Sequence, residues 1–200
     1  MMTAPLSAGR MIMALRREGL QPVEHPGWRT HNRNSRGPWG PVNGVLIHHT
    51  AGRNSLALIR TGRPDLPGPL AHAHVAKDGT LTLVGNGRAN HAGRVAFNAF
   101  HAVVREDHHP WPSVASGTVD GNTHFYGLEV ENLGDRHDPY PAAQYDAAVR
   151  WATAICRAHD WHADSVVGHK ETSIEGKIDP SFDMNAFRRA VADRLTHRAE

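Results

Sequence analysis

Two hundred residues, a hydrophobic content of 40% and a charged content of 21% are typical of one globular domain and exclude a wholly disordered chain. The 22 basic and 20 acidic residues leave a net charge of +2, which argues against nucleic-acid binding, and no apolar run reaches the roughly 18 residues of a membrane span. A single cysteine, Cys156, excludes an internal disulfide framework and any metal site built from several cysteines.

The first third of the chain predicts a helix, an irregular segment and a buried strand. Apolar residues at helical spacing predict a helix over residues 7–19, where a glycine is a stop signal. Proline, glycine and asparagine make residues 21–43 too irregular for a core element. The apolar run at 44–48 is typical of a buried strand, and a short helix is expected at 55–61.

The rest of the chain predicts a hairpin followed by alternating strands and helices. Strands at 71–76 and 80–84 flank an Asp-Gly pair, which is a strong hairpin signal. Residues 85–122 show little periodicity and are expected to form a long surface excursion with one short helix. Further strands are predicted at 125–131 and 166–167, and further helices at 141–159 and 184–195. The alternation predicts an α/β fold, a single domain with a central mixed β-sheet flanked by helices.

Three segments concentrate residues that catalysis uses: a strand end at 47–50, a strand at 127–131 and the stretch 168–180. Two histidines and an aspartate from such segments could hold zinc and leave its fourth position open, as in catalytic zinc sites. Spacing alone is a weak signal, because the compact zinc-protease motif is absent and the ligands are far apart in sequence. Most of the 16 histidines are expected to be surface or core residues.

Strand periodicity narrows the candidates only in part. His48 and His49 point to opposite faces of a regular strand, so at most one of them enters a given pocket. Glu129 and Glu131 lie on one face, so periodicity leaves the choice between these two carboxylates open.

Five motifs in a fixed order carry a resemblance to a known family. They are GVLIHHTA at 44–51, LAH at 70–72 with DGT at 78–80, NHAG at 90–93, GLE at 127–129, and GHKE at 168–171 with KIDPSFD at 177–183. Over residues 42–188 the chain resembles the type 2 N-acetylmuramoyl-L-alanine amidases, a family related to the peptidoglycan recognition proteins. It is most similar to the amidase domains of endolysins from phages of actinobacteria.

The resemblance implies one Zn²⁺ per chain and a role for each residue of its site. The implied metal ligands are His48, His169 and Asp179. Glu129 corresponds to the general base of many members. Lys177 corresponds to the basic residue, two positions before the third ligand, that steadies the oxyanion.

Two further histidines match family positions near the metal. His91 of the NHAG motif and His72 of the hairpin are the candidates for substrate contact that the resemblance implies. Some relatives use a tyrosine on the hairpin strand for catalysis, but this chain has Ala71 there, so that variant does not apply. His74 departs from the family pattern, in which an aliphatic residue is commoner.

The implied reaction is hydrolysis of the amide bond between the lactyl group of N-acetylmuramic acid and the L-alanine of the stem peptide in bacterial peptidoglycan. The alternative is a non-catalytic peptidoglycan-binding module of the same fold. Residues 41–200 are expected to form the catalytic domain, after an N-terminal helix and irregular lead-in over residues 1–40. The N-terminus lacks a secretory-signal pattern. We therefore expect a phage endolysin made in the host cytoplasm that acts on the wall after release, without inserting into a membrane.

The cluster DHHPW at 107–111 is a second concentration of polar and aromatic groups. It looks like a metal-binding or nuclease-like motif, but nothing later in the chain completes a nuclease site. We expect a solvated loop that lines the substrate groove. Its Trp111, like Trp28 and Trp39, lies in a loop and either stacks on a sugar ring or fills the core.

Overall fold

Residues 3–197 are described by the computed structural model. The helices are α1 (Ala8–Arg17), α2 (Leu56–Thr61), α3 (Phe97–Arg105), α4 (Gly121–His124), α5 (Ala142–His159), α6 (His169–Thr172) and α7 (Met184–Thr196). The strands are β1 (Val23–Glu24), β2 (Gly44–His49), β3 (Gly62–Arg63), β4 (Leu66–Pro67), β5 (Ala73–Val75), β6 (Leu81–Leu83), β7 (Arg94–Ala96), β8 (Thr118–Asp120), β9 (Phe125–Val130) and β10 (Val166–Gly168).

Six strands form one central sheet in the order β1-β6-β5-β9-β2-β10. Only the β5–β6 pair is antiparallel, and the other four neighbouring pairs are parallel. The sheet is therefore mixed, and the predicted α/β class is confirmed. Because β10, β2, β9 and β5 run in the same direction, their carboxyl ends meet at one edge, which is where ligands bind in open α/β sheets.

Side chains along the central strands alternate between two faces of the sheet, and each face has its own hydrophobic core. Val45 and Ile47 of β2 belong to the main core, which α1, α5 and α7 complete. Leu46 belongs to a smaller core on the opposite face, together with Val103 of α3. Side chains of a strand alternate between faces, so His48 follows Leu46 onto the α3 side.

Helix α1 is part of the same folded unit as the sheet. Ser7 caps it, since its side chain accepts a hydrogen bond from the Arg10 N–H. Leu15 is fully buried within the main core. Glu18, which is 4% exposed, accepts a hydrogen bond from Arg157 Nε of α5 at 2.6 Å. The N-terminal helix therefore completes the core that lies beneath the sheet.

The structure differs from the predicted elements where strands are very short. The segment predicted as irregular contains β1, which pairs in parallel with β6. The predicted surface excursion contains the antiparallel pair β7–β8 as well as α3, and the segment after α2 contains the two-residue strands β3 and β4. Two or three residues are too few to show a period.

The longer elements lie where the sequence predicts them, and the Asp-Gly hairpin joins β5 to β6. Cys156 is completely buried in the main core, as its apolar surroundings predict. Over residues 3–197, none of the helices combines the length and the apolar character that crossing a membrane requires.

Candidate metal centre and active site

The sheet register brings three motifs to one edge. His48 at the end of β2 lies opposite Glu129 of β9. On the other side of β2, Gly168 of β10 lies opposite Ile47. The next residue, His169, therefore lies beside His48. Side chains from segments more than 100 residues apart therefore meet above the carboxyl ends of adjacent parallel strands.

His48, His169 and Asp179 converge on one point. His48 Nδ1 lies 3.1 Å from His169 Nδ1 and 3.1 Å from Asp179 Oδ2, and His169 Nδ1 lies 3.1 Å from the same oxygen. Tetrahedral zinc with bonds of ~2.0–2.1 Å separates its ligand atoms by ~3.3 Å. The spacing and the nitrogen and oxygen donors fit a zinc ion, and three protein ligands leave a fourth position free.

The ring of His48 is held neutral, which metal ligation requires. Burial and the neighbouring His169 lower the pKa of His48 to about 4. The side chain is 2% exposed, so the ring is fixed within the protein.

His91 lies behind His48 and determines which nitrogen of His48 carries the proton. His91 Nε2 donates to the Phe125 carbonyl at 3.0 Å. Burial, together with the adjacent His48, holds the pKa of His91 well below its usual range, so the ring is neutral and its Nδ1 accepts. That Nδ1 lies 3.0 Å from His48 Nε2, which therefore donates. His48 Nδ1 is left with a free lone pair directed at the cluster.

Gly127 makes room for the His91 ring. A Cβ at residue 127 would lie 2.5 Å from His91 Nδ1, closer than side chains tolerate. The glycine of the GLE motif thus permits the contact between two histidines that orients His48.

We expect His91→Ala to weaken zinc binding without removing a direct ligand. Loss of an outer partner of a metal-binding histidine typically costs ~10–100-fold in metal affinity. Competition with a chromophoric chelator measures the change. His101→Ala, at an exposed histidine on α3, is the matched control and should leave affinity unaltered. Equal zinc affinity in His91→Ala and the native protein would contradict the role of His91 in orienting His48.

The loop that carries Asp179 is fixed by Lys170. The Lys170 backbone N–H donates to the Asp179 carbonyl at 2.7 Å. Its Nζ donates to the carbonyls of Pro180 and Phe182 at 2.7 and 2.8 Å. Lys170 therefore holds both ends of this short turn against α6, next to His169.

Glu171 and Arg188 fix the helix that begins with His169. Glu171 Oε2 accepts the Gly168 N–H at 2.8 Å, which caps the first turn of α6. Arg188 of α7 forms a two-pronged ion pair with the Glu171 carboxylate, at 2.8 and 2.9 Å. The four residues of the GHKE motif thus serve one purpose, which is to place the His169 ring.

The structure distinguishes the two glutamates that periodicity leaves equivalent. Glu131 is buried, accepts the Ser55 N–H at 3.3 Å and lies 3.6 Å from His74 Nε2. Glu129 Oε2 is buried but, within residues 3–197, has no hydrogen-bond partner. Burial, and then the charge of Asp179, raises the pKa of Glu129 well above its usual range. Glu129 therefore has a free carboxylate oxygen for proton transfer beside the cluster.

Lys177 lies beside the site rather than within it. Its side chain is exposed, and Nζ lies 3.3 Å from Glu175 Oε2. The described residues show no ion pair between Lys177 and Asp179, although the two are separated by a single residue. A lysine side chain has four rotatable bonds, so Nζ can reach a substrate in the cleft by changing rotamers.

His72 is engaged by the backbone on both ring nitrogens. Its Nδ1 accepts the Gly127 N–H at 2.8 Å, and its Nε2 donates to the Gly87 carbonyl at 2.8 Å. Burial lowers the pKa of this histidine to about 4, and the ring is 3% exposed. Both ring nitrogens of His72 are therefore engaged, and the ring links the loop after β6 to the backbone of β9.

His49 faces away from the cluster, as alternation along the strand predicts. Its Nδ1 lies 3.2 Å from the Tyr140 hydroxyl, which is 3.0 Å from Ser181 Oγ. A Cβ at Gly134 would lie 2.4 Å from His49 Nε2, so the ring is also closely packed by the loop after β9. The geometry gives His49 a packing role beneath the site.

A cavity of about 730 Å³ adjoins the cluster on the α6–α7 side. Lys170, Lys177 and Ser181 line it, and each lies within two residues of a cluster member. Residues 108–112 of the DHHPW loop also line it. Their predicted place in a substrate groove stays a prediction.

The sequence profile of the N-acetylmuramoyl-L-alanine amidase family matches residues 38–182. The chain therefore belongs to this family. Among curated proteins, no sequence matches it significantly.

Three solved structures show the same fold at low sequence identity. AmpD, solved as a selenomethionine derivative, is 20% identical with a TM-score of 0.56, covering 86% of this chain and 93% of that chain. AmiD from E. coli, solved with anhydro-N-acetylmuramic acid-L-Ala-D-γ-Glu-L-Lys, is 18% identical with a TM-score of 0.55, covering 78% of this chain and 59% of that chain. PlyL is 14% identical with a TM-score of 0.55, covering 86% and 96%.

Sequence reasoning missed the residues that hold the cluster in place. Lys170 and Arg188 act through contacts with backbone carbonyls and with Glu171 that no spacing rule predicts. One signal was available for Lys170, because the chain has only three lysines among 22 basic residues, which makes each of them conspicuous.

Proposed function

We propose that this chain is a zinc-dependent N-acetylmuramoyl-L-alanine amidase. It hydrolyses the amide bond between the lactyl group of N-acetylmuramic acid and the L-alanine of the peptidoglycan stem peptide. The observation that carries the proposal is the mutual 3.1 Å spacing of His48 Nδ1, His169 Nδ1 and Asp179 Oδ2 in a chain of this family.

His48, His169 and Asp179 would hold one zinc ion, and a bound zinc supplies Lewis acidity toward an amide carbonyl. Glu129 Oε2 takes the proton of the attacking water and delivers it to the leaving L-alanine amine. The raised pKa of Glu129 suits both steps, since a more basic carboxylate accepts the proton more readily.

Lys177 would stabilise the charge that develops on the carbonyl oxygen. Among residues 3–197 its Nζ is paired only with the exposed Glu175, so the ammonium is available once substrate enters the cleft. A donor directed at a developing oxyanion contributes about 3–4 kcal/mol to the transition state in well-studied enzymes.

We expect Lys177→Met to lower kcat by ~10²–10³-fold while the protein keeps its zinc. Steady-state kinetics and metal analysis of the same preparation separate the two effects. Lys77→Met, at a lysine that forms an ion pair with Asp138, is the matched control. An unchanged kcat in Lys177→Met would remove Lys177 from the mechanism.

The substrate proposal draws on the family and on AmiD, whose complex contains a muropeptide. Residues 41–200 carry the chemistry in this proposal, and apolar side chains within residues 3–40 support the core beneath the sheet. His91 is assigned to orienting His48, and substrate contact is assigned to the cleft walls.

Product analysis on purified peptidoglycan tests the reaction. New L-alanine amino termini without new reducing sugars identify an amidase, and a chelator should stop their release. Zinc binding without any release would favour the alternative, a non-catalytic peptidoglycan-binding module. New reducing sugars would show cleavage of the glycan and overturn the proposal.

We further propose that the biological role is lysis of a host cell by a phage, since the motifs resemble endolysin amidase domains. Expression inside an actinobacterial host tests this role. Lysis is expected only when a membrane-permeabilising protein is produced as well, and the Glu129→Gln variant should abolish it. Lysis by that variant would show that wall hydrolysis by this site is not the cause.

A further inference from the structure

Trp111 stands at the rim of the cavity with its indole in solvent. It is 89% exposed, whereas Trp28, Trp151 and Trp161 are each less than 5% exposed. Ile178, which is 66% exposed, lines the same cavity next to Asp179. Two large apolar side chains thus stand at a cavity whose lining includes the chain neighbours of His169 and Asp179, and such exposed apolar groups mark binding sites.

The loop that presents Trp111 is held by hydrogen bonds. Asn98 of α3 donates from Nδ2 to the Trp111 carbonyl at 2.8 Å. Its Oδ1 accepts the Ser113 N–H at 3.0 Å and the Ser116 hydroxyl at 3.1 Å. The indole is therefore exposed on a fixed backbone, which reduces the entropic cost of binding a ligand there.

The charges around the cavity favour a neutral polar ligand. The charged groups that line it are of both signs, and most of them are already engaged. Glu171 pairs with Arg188, Lys177 pairs with Glu175, and Lys170 Nζ donates to two backbone carbonyls. Within the described residues the lining therefore has no excess of free cations that would select the carboxylates of a stem peptide. His109 Nε2, a polar atom buried in the same wall, has no hydrogen-bond partner within residues 3–197. A ligand hydroxyl can supply that partner.

We propose that this cavity is a saccharide subsite that binds a sugar of the glycan strand beside the N-acetylmuramic acid under attack. The apolar face of a pyranose ring packs on the Trp111 indole, and its hydroxyl and acetamido groups face the polar wall. The inference rests on the proposed amidase function, because it assigns the cavity to an extended form of the same substrate. It makes the enzyme selective for glycan chains over muropeptides with a single sugar.

Selectivity between two soluble substrates tests the subsite. One is N-acetylmuramoyl-L-alanyl-D-isoglutamine, and the other is the same dipeptide on a tetrasaccharide of the glycan. The native chain should show a higher kcat/KM for the tetrasaccharide, and Trp111→Ala should lower the ratio of the two values by about tenfold. Trp111→Phe should keep most of the ratio, and Val114→Ala, an exposed apolar residue on the same loop, should keep all of it.

The possible results test the saccharide subsite and the proposed amidase activity separately. If the native chain cleaves neither substrate, the amidase proposal fails. If it cleaves both and Trp111→Ala leaves their ratio unaltered, the saccharide subsite is wrong while the amidase stands. A third substrate carries a pentapeptide stem on the single sugar. If Trp111→Ala loses more activity on this substrate than on the dipeptide, and lengthening the glycan has no such effect, the cavity binds the stem peptide and the inference is overturned.

A binding measurement tests the subsite without catalysis. Acrylamide quenches exposed indoles, and Trp111 is the most exposed of the five tryptophans. Saturating tetra-N-acetylchitotetraose should protect a fraction of the fluorescence in the native chain and none in Trp111→Phe. Unchanged quenching of the native chain at saturating oligosaccharide would contradict the proposal.

Discussion

Asp179→Ala protein is expected to purify with little or no zinc and to lose wall-degrading activity in parallel. Asp179 Oδ2 is the atom that both histidines approach at 3.1 Å. Loss of an outer partner of a metal ligand already costs ~10–100-fold in affinity, so loss of a direct ligand should cost more than ~100-fold. His169→Ala should behave in the same way. Metal analysis of dialysed protein, with turbidity loss on peptidoglycan, measures both effects.

His49→Ala is the matched control for the two ligand variants. It removes a histidine adjacent to His48 in sequence, but the His49 ring packs against Tyr140 and Gly134 instead of the cluster. The variant should keep one zinc per chain, although its thermal stability falls through lost packing. Equal loss of zinc from His49→Ala and His169→Ala would overturn the ligand assignment.

Glu129→Gln should abolish most turnover while zinc stays bound. The amide cannot take a proton from water, and general acid–base groups contribute typically ~10²–10⁴-fold to rate. Glu131→Gln carries the same substitution two residues along the same strand face. Glu131 is assigned to holding Ser55, and glutamine can still accept that N–H, so this variant should keep most of its activity. The greater loss of kcat in Glu131→Gln would show that the base is misassigned.

Glu129→Gln should also differ from the native protein in the pH dependence of its stability. The pKa of Glu129 is higher in the folded than in the unfolded chain, so the folded chain binds more protons between those two values. The stability of the metal-free protein therefore falls as pH rises above the ordinary range of a carboxyl group. Glutamine at residue 129 removes this loss, so metal-free Glu129→Gln should melt at a higher temperature than the native protein near neutral pH. A lower melting temperature would contradict the unpaired, buried state of Glu129.

Part of the central sheet was predictable, because β2 and β9 are long enough to show a pattern and the hairpin has its own turn signal. The run at β2 and the Asp-Gly hairpin between β5 and β6 are local signals that the structure confirms. Strand β1, with two residues, and the β7–β8 pair carry no period of their own. β1 forms because β6 offers it a backbone partner, and β7 and β8 are each other's partners from either side of α3. These pairings are tertiary information.

The choice between Glu129 and Glu131 also needed tertiary information. Alternation predicts one face for both, although Glu131 comes directly after the end of β9. Only the position of Ser55, 76 residues away in sequence, shows that Glu131 is already engaged. The role of His91 depends in the same way on the Phe125 carbonyl, which fixes its tautomer. Motif order could indicate which residues gather at the site, but not the hydrogen bonds that give each of them a separate role.

Zinc reconstitution tests the account most directly. The native chain is stripped with a chelator and titrated with zinc, and the release of L-alanine amino termini from peptidoglycan is measured at each step. Activity should be absent at zero zinc, rise linearly and reach its plateau at one zinc per chain. Full activity in the stripped protein, or a plateau without any dependence on zinc, would contradict the site of His48, His169 and Asp179.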